Sequence, residues 1–118
     1  MNRGEVWTVA DSADYAGKPR PVIIVQNDAF PGTESVTICL LTSVKSYAPF
    51  FRAEIEPTET NGLRSASRLM TDKITTVPKT KLGRKIGSLS DGDIQRMDQS
   101  IIIFLGLADT NNDTMSGA

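Results

Sequence analysis

The 118-residue chain contains no histidine and a single cysteine, Cys39. The first absence removes the commonest general base and the commonest metal ligand. Together they rule out a zinc site of the usual Cys/His kind, and one cysteine cannot form an internal disulfide. Long hydrophobic runs are missing too. The longest, Ile101 to Leu105, is far too short to span a bilayer, and the N-terminus has no apolar signal-peptide core. The expected setting is the cytoplasm. The formal net charge is only −1, so bulk charge does not mark a nucleic-acid binder.

The charges that are present are unevenly spread. Between Arg64 and Lys85 stand Arg64, Arg68, Lys73, Lys79, Lys81, Arg84 and Lys85, against one acid, Asp72. Such local asymmetry builds either a basic patch on an acidic protein or an ordinary solvated face.

The pattern of apolar residues predicts a mainly β fold. Residues 4–9 alternate and read as a half-buried strand. Residues 20–26 are nearly continuous in apolar side chains, which predicts a central strand covered on both faces. Further strands are expected at 35–42, 50–56, 67–74 and 85–89, with Asn61-Gly62 as a turn and one short helical turn at 78–82. Then the period changes. Ser90 followed by Asp93 reads as a helix start, and Ile94, Met97, Ile101 and Phe104 or Leu105 follow at helical spacing. A single amphipathic helix over about 91–107 should pack on the sheet. One domain over 1–108 is expected, with a disordered tail at 109–118. Short strands and one late helix suggest a strongly bent sheet or half-open barrel.

Three groups of residues stand out chemically. Arg20 lies between Pro19 and Pro21, so the backbone is stiff on both sides of it. A guanidinium mounted this way can grip a phosphate through two N–H bonds, or can form a salt bridge with Asp28 or Glu5. Thr42 and Ser43 close an apolar strand, where hydroxyls either emerge to act or bond back to the main chain. Arg68, Met70 and Asp72 alternate onto one face; Arg68 and Asp72 are either partners at a site or a surface pair of little energetic weight.

The segments "RGEVW" (Arg3–Trp7), "KPRPVIIVQND" (Lys18–Asp28), "ICLLTS" (Ile38–Ser43), "NGLRSASRLMTDKITTV" (Asn61–Val77) and "KLGRKIGSL" (Lys81–Leu89) occur in an order that resembles the MazF/PemK family of toxins. The resemblance runs from about Arg3 to Leu107. It implies a small CcdB-like β-barrel, related to SH3 barrels, with a C-terminal helix. It also implies a homodimer, a sequence-selective endoribonuclease acting on single-stranded messenger RNA, and a cognate antitoxin. No cofactor and no metal are implied.

By that resemblance the family's catalytic arginine is Arg20 and its catalytic hydroxyl is Thr42, with Ser43 adjacent. Asp72 matches an acid used by some members, whereas Met70 and Thr75 stand where those members carry arginines. Arg68, on the face of Asp72, is a candidate replacement. Ser43, Arg68, Asp72 and Lys73 are thus candidates for catalysis or substrate binding. Tyr15, Lys18, Tyr47 and Phe50, in or beside the loops at 11–19 and 44–49, are candidates to wall an RNA groove by stacking and charge. A related toxin, CcdB, poisons DNA gyrase instead and depends on a tryptophan near its C-terminus. The only tryptophan here is Trp7, which disfavours that alternative.

Overall fold

The computed structural model describes residues 1–10, 19–44 and 51–108. These form six strands and one helix. The strands are β1 (Glu5–Ala10), β2 (Pro19–Ile24), β3 (Ser35–Thr42), β4 (Glu54–Ile55), β5 (Ser67–Pro78) and β6 (Leu82–Ser88). A 3₁₀ turn, Lys79–Lys81, joins β5 to β6, and helix α1 spans Asp91–Leu105. All paired strands run antiparallel in one sheet of order β4-β5-β3-β2-β1-β6.

The unbroken apolar run of β2 exists because both faces of the sheet are covered. Ile23 joins Val6, Cys39, Leu41 and Leu69 on the face beneath α1, where Met97 closes the layer. Val22 and Ile24 point the other way, onto Val9, Val36 and Ile38. A strand buried on both sides has no use for a polar alternate position. Full burial of each large side chain contributes about 1.5–3 kcal/mol, and Val6, Ile23, Leu69 and Met97 are completely enclosed.

The sheet curls where its pairing slips. Along β3 the partner jumps from Ile74 opposite Cys39 to Met70 opposite Leu40, so Thr71, Asp72 and Lys73 bulge out of register. Two further shifts interrupt the β1–β6 ladder. Bulges raise local twist and bend the strand that carries them. The bulge also explains why β5 continues to Pro78 and not to Ile74 as its sequence suggests. Alternation breaks at the bulge and resumes beyond it, with Thr76 opposite Thr37.

The expected strand over 50–56 shrinks to Glu54–Ile55. Phe51 and Arg52 precede it in a turn, tied down by the Thr71 hydroxyl, which donates to the Phe51 carbonyl at 2.9 Å. The Asn61-Gly62 turn is present and is built around a buried side chain. Asn61 Oδ1 accepts from the N–H groups of Thr58 and Leu63, both at 3.0 Å, and its Nδ2 donates to the Glu56 carbonyl at 2.9 Å. Gly62 follows with φ +72°, and a Cβ there would lie 2.2 Å from the Ile86 carbonyl oxygen. The loop is therefore pressed onto β6, and this contact sets the position of the residues that follow it.

Helix α1 begins as its sequence predicts, with the Ser90 hydroxyl accepting from the Asp93 N–H at 3.2 Å. It ends at Gly106 in the left-handed conformation, whose N–H reaches the Ile102 and Ile103 carbonyls. Ile94, Met97 and Ile101 pack on the sheet as expected. Phe104 and Leu105 do not. They are 43% and 54% exposed, because the last turn runs past the edge of the core, and Phe104 instead meets the Phe51 ring at 4.8 Å. Among the described residues no helix is long and apolar enough to cross a membrane. The tail at 109–118 lies outside the described residues.

Candidate functional site

Pairing of β2 with β3 sets Val22 opposite Leu40, Ile23 opposite Cys39 and Ile24 opposite Ile38. The same register carried two residues further puts Arg20 opposite Thr42. The sheet thus joins, at one end, two positions that are 22 residues apart in the chain. Both line a cleft of about 720 Å³, together with Ser43 and the flanking Pro19 and Pro21. On its other side, Arg20 is the β1 partner of Val9.

The far wall comes from the loop after Gly62 and from β6. It brings Arg64, Ser65, Arg84 and Lys85 to the same space. The floor includes Thr8, whose hydroxyl accepts from the Arg84 N–H at 3.1 Å. Strand β6 passes so close here that a Cβ on Gly83 would sit 2.5 Å from Thr8 Oγ1. Among the described residues that line the cleft, Arg20, Arg64, Arg84 and Lys85 are cations and none is an acid. Four cations facing one space, with hydroxyls between them, suit a polyanion. A hard divalent cation needs carboxylate or carbonyl oxygens, which this lining does not offer as side chains. Nowhere among the described residues do three or more Cys, Asp or Glu converge as a metal site.

Thr42 makes the main-chain contact expected of a strand-end hydroxyl. Its Oγ1 accepts from the Val44 N–H at 3.2 Å. That leaves the hydroxyl hydrogen to be donated elsewhere. The two acids considered as salt-bridge partners for Arg20 are engaged with other groups. Asp28 accepts from the Arg3 N–H at 2.6 Å. Glu5 accepts from Trp7 Nε1 at 2.8 Å and lies 3.3 Å from Lys85 Nζ. Burial works against ionisation of Glu5, yet the hydrogen bonds from Trp7, the Asn2 backbone and Lys85 outweigh it and hold its carboxyl below the usual range.

The β5 candidates go elsewhere. Arg68, Asp72 and Lys73 are not among the described residues lining the cleft. Arg68 stands opposite Thr42 in the ladder, but its guanidinium turns to Glu54 of β4, 3.7 Å away. Asp72 accepts two hydrogen bonds from Arg52, at 2.8 and 2.6 Å. Arg52, from a segment whose sequence gave no sign of it, is thus the partner Asp72 takes, and not Arg68. Lys73 projects from the bulge into solvent. Tyr15, Lys18, Tyr47 and Phe50 lie outside the described residues.

The basic stretch from Arg64 to Lys85 is therefore not one patch. Only its two ends, Arg64 and Arg84–Lys85, meet at the cleft. Lys79, for example, donates to the Pro31 carbonyl at 2.7 Å. The charge asymmetry flagged these residues, but only the chain path sorts them.

The pattern of the PemK-like, MazF-like toxins of type II toxin–antitoxin systems matches residues 2–105. The chain is 45% identical to the probable endoribonuclease MazF of Mycolicibacterium smegmatis over 108 residues, covering 92% of this chain and 99% of that protein. Among solved structures, an endoribonuclease in complex with its cognate antitoxin from mycobacterial species superposes with a TM-score of 0.74 at 24% identity. It covers 92% of this chain and 98% of that one. The Mycobacterium tuberculosis toxin MazF-mt6 gives 0.71 at 24% identity, over 89% and 99%. These neighbours share the mainly β half-barrel with its C-terminal helix.

Proposed function

The chain belongs to the PemK-like, MazF-like toxin family of type II toxin–antitoxin systems, and from that premise we propose that it is an endoribonuclease that cuts single-stranded messenger RNA at selected sequences without a metal ion. The observation that carries this reading is the convergence of Arg20 and Thr42, from different strands, in a cleft whose described lining holds three further cations and no acid.

The chemistry asks little of the protein. RNA supplies its own nucleophile: the 2′-oxygen attacks the adjacent phosphorus as the bond to the 5′-oxygen breaks. The 2′-OH proton is lost, the leaving oxygen takes up a proton, and the products carry a 2′,3′-cyclic phosphate and a 5′-OH. Negative charge grows on the non-bridging oxygens in the transition state. Arg20 is suited to hold two of them, and the Thr42 hydroxyl to donate to one. A guanidinium stays protonated at neutral pH, so Arg20 acts as an electrostatic clamp and not as a base. The remaining cations hold the strand in line.

A cognate antitoxin and a second copy of the chain are the proposed protein partners, in the cytoplasm. An antitoxin segment that folds on binding can cover a long groove, and if it occupies this cleft it competes with RNA. Ile103, Phe104, Leu105 and Leu107, all more than 40% exposed at the end of α1, support a homodimer.

The test is incubation of purified protein with a long RNA in EDTA, beside an Arg20→Ala control, with the cleaved ends sequenced. Site-specific cuts by the wild type alone, with cyclic phosphate at the new 3′ ends, are expected. Absence of cuts would overturn the reading, and gyrase inhibition in its place would favour the CcdB-like alternative.

A further inference from the structure

Glu5 is a buried acid, its side chain only 11% exposed, and both of its oxygens are occupied. Trp7 Nε1 donates to Oε1 at 2.8 Å, and Lys85 Nζ lies 3.3 Å from Oε2. Lys85 itself is 48% exposed and lines the cleft with Arg20 and Thr42. The three side chains are brought together by the β1–β6 ladder, which sets Trp7 opposite Lys85 and slips in register on both sides of that pair. Bulged pairing of this kind re-aims side chains.

An ordinary surface ion pair contributes little because both partners are mobile. This one differs. The carboxylate is enclosed, its other oxygen accepts from an indole N–H that can only donate, and these hydrogen bonds hold its carboxyl below the usual range despite burial. A lysine at such a position gives up much of its rotamer freedom before any ligand arrives, which lowers the cost of ordering it later. The arrangement is also costly for simple attraction. A negative charge beside a phosphate cleft weakens the pull on RNA, so a device for affinity alone would do better without it.

We propose that Glu5 is a positioning residue, fixed by Trp7, that aims the Lys85 ammonium at the phosphate held in the Arg20–Thr42 cleft. This rests on reading that cleft as the site of RNA cleavage. Lys85 then touches the reacting phosphate, while Glu5 acts only through Lys85.

A double-mutant cycle with steady-state kinetics on a short RNA tests it, with folding checked by thermal melting. Glu5→Gln, which removes the charge and keeps the shape, should lower kcat roughly tenfold or more through misplacement of the ammonium. Its KM should stay level or fall, because Lys85 is freed of its counter-charge. Lys85→Ala should lower kcat and raise KM. The double variant should have the kcat of Lys85→Ala alone. A Glu5→Gln enzyme with normal kcat, or a double variant whose losses multiply, would overturn the proposal.

A second measurement covers the case where Glu5→Gln does not fold. The Lys85 Nζ resonance of the wild type is followed by NMR on addition of a 2′-deoxy oligonucleotide, which binds but cannot be cut. A shifted resonance supports the contact and an unmoved one overturns it. Wild-type protein that binds the oligonucleotide but cuts no RNA would sink the nuclease reading separately, and the Lys85 signal would still decide this one. Protein that does neither overturns both.

Discussion

Arg52 holds Asp72 across 20 residues of chain with two short hydrogen bonds, Nε to Oδ1 at 2.8 Å and Nη2 to Oδ2 at 2.6 Å. The pair pins the turn before β4 to the bulge in β5. It also commits Asp72, since both of its oxygens are spoken for. The Arg52 hydrogen bond outweighs partial burial and keeps the Asp72 carboxyl below its usual range. Because the folded value is the lower one, the pair stabilises the protein fully above the ordinary aspartate pKa of about 3.9. That contribution disappears as pH falls through the folded value. Arg52→Ala should cost about 1–3 kcal/mol at pH 7. The deficit relative to wild type should shrink in acid. Urea titrations at pH 7 and near pH 3 would check this, and a deficit that grows on acidification would contradict it.

In the proposed reaction Arg20 is the main clamp on the phosphate. Arg20→Lys keeps the charge and loses the planar two-pronged donor set. It should lower kcat by roughly 10²–10³-fold, the usual scale for losing a transition-state donor, with a smaller change in KM. Thr42→Ser should retain most activity and Thr42→Ala should not. Single-turnover cleavage assays separate these cases. Near-normal cleavage by Arg20→Lys would mean that point charge alone suffices.

Arg64 and Arg84, two members of the basic stretch, meet at the cleft and carry a prediction about salt. If each neutralises one phosphate, log Kd for a single-stranded oligonucleotide should vary with log salt less steeply by about 0.7 in each alanine variant. Titrations at several salt concentrations would measure the slope. An unchanged slope would place that side chain away from the strand.

Asn61 connects fold to site. Asn61→Ala leaves the Thr58 and Leu63 N–H groups and the Glu56 carbonyl without the partners they now have. The expected loss is about 3 kcal/mol, seen as a lower melting temperature. Because Arg64 follows three residues on, the folded variant should also bind RNA more weakly than Gln or Ser substitutions at exposed loop positions would predict.

Cys39 is fully buried, and burial, with the nearby Asp72 charge, pushes its thiol up to about 12. The native protein should resist thiol reagents at pH 8 for as long as it stays folded. Rapid modification under native conditions would show that β3 opens. Reaction is expected only when denaturant is added.

Much of this protein was legible from its residues alone. The doubly apolar run of β2, the Ser90 cap, the Ile94–Met97–Ile101 stripe and the Asn61-Gly62 turn all act locally. Each is decided by side-chain alternation, helical spacing or turn chemistry within a few residues, and each occurs as its sequence suggests. The ordered motifs likewise pointed to the toxin family before any contact was known. What the sequence could not decide was who meets whom. Arg68 and Asp72 share a face by alternation, yet they pair with Glu54 and Arg52, because the bulge at Thr71–Lys73 and the shortened β4 bring other partners within reach. The basic stretch allowed either one patch or a solvated face, and the path of the chain divided it. The family resemblance named Arg20 and Thr42 together, but only the folded sheet shows that both line one cleft. Alternation and spacing are properties of a few neighbouring residues, whereas register, bulges and loop approach depend on the whole core closing at once.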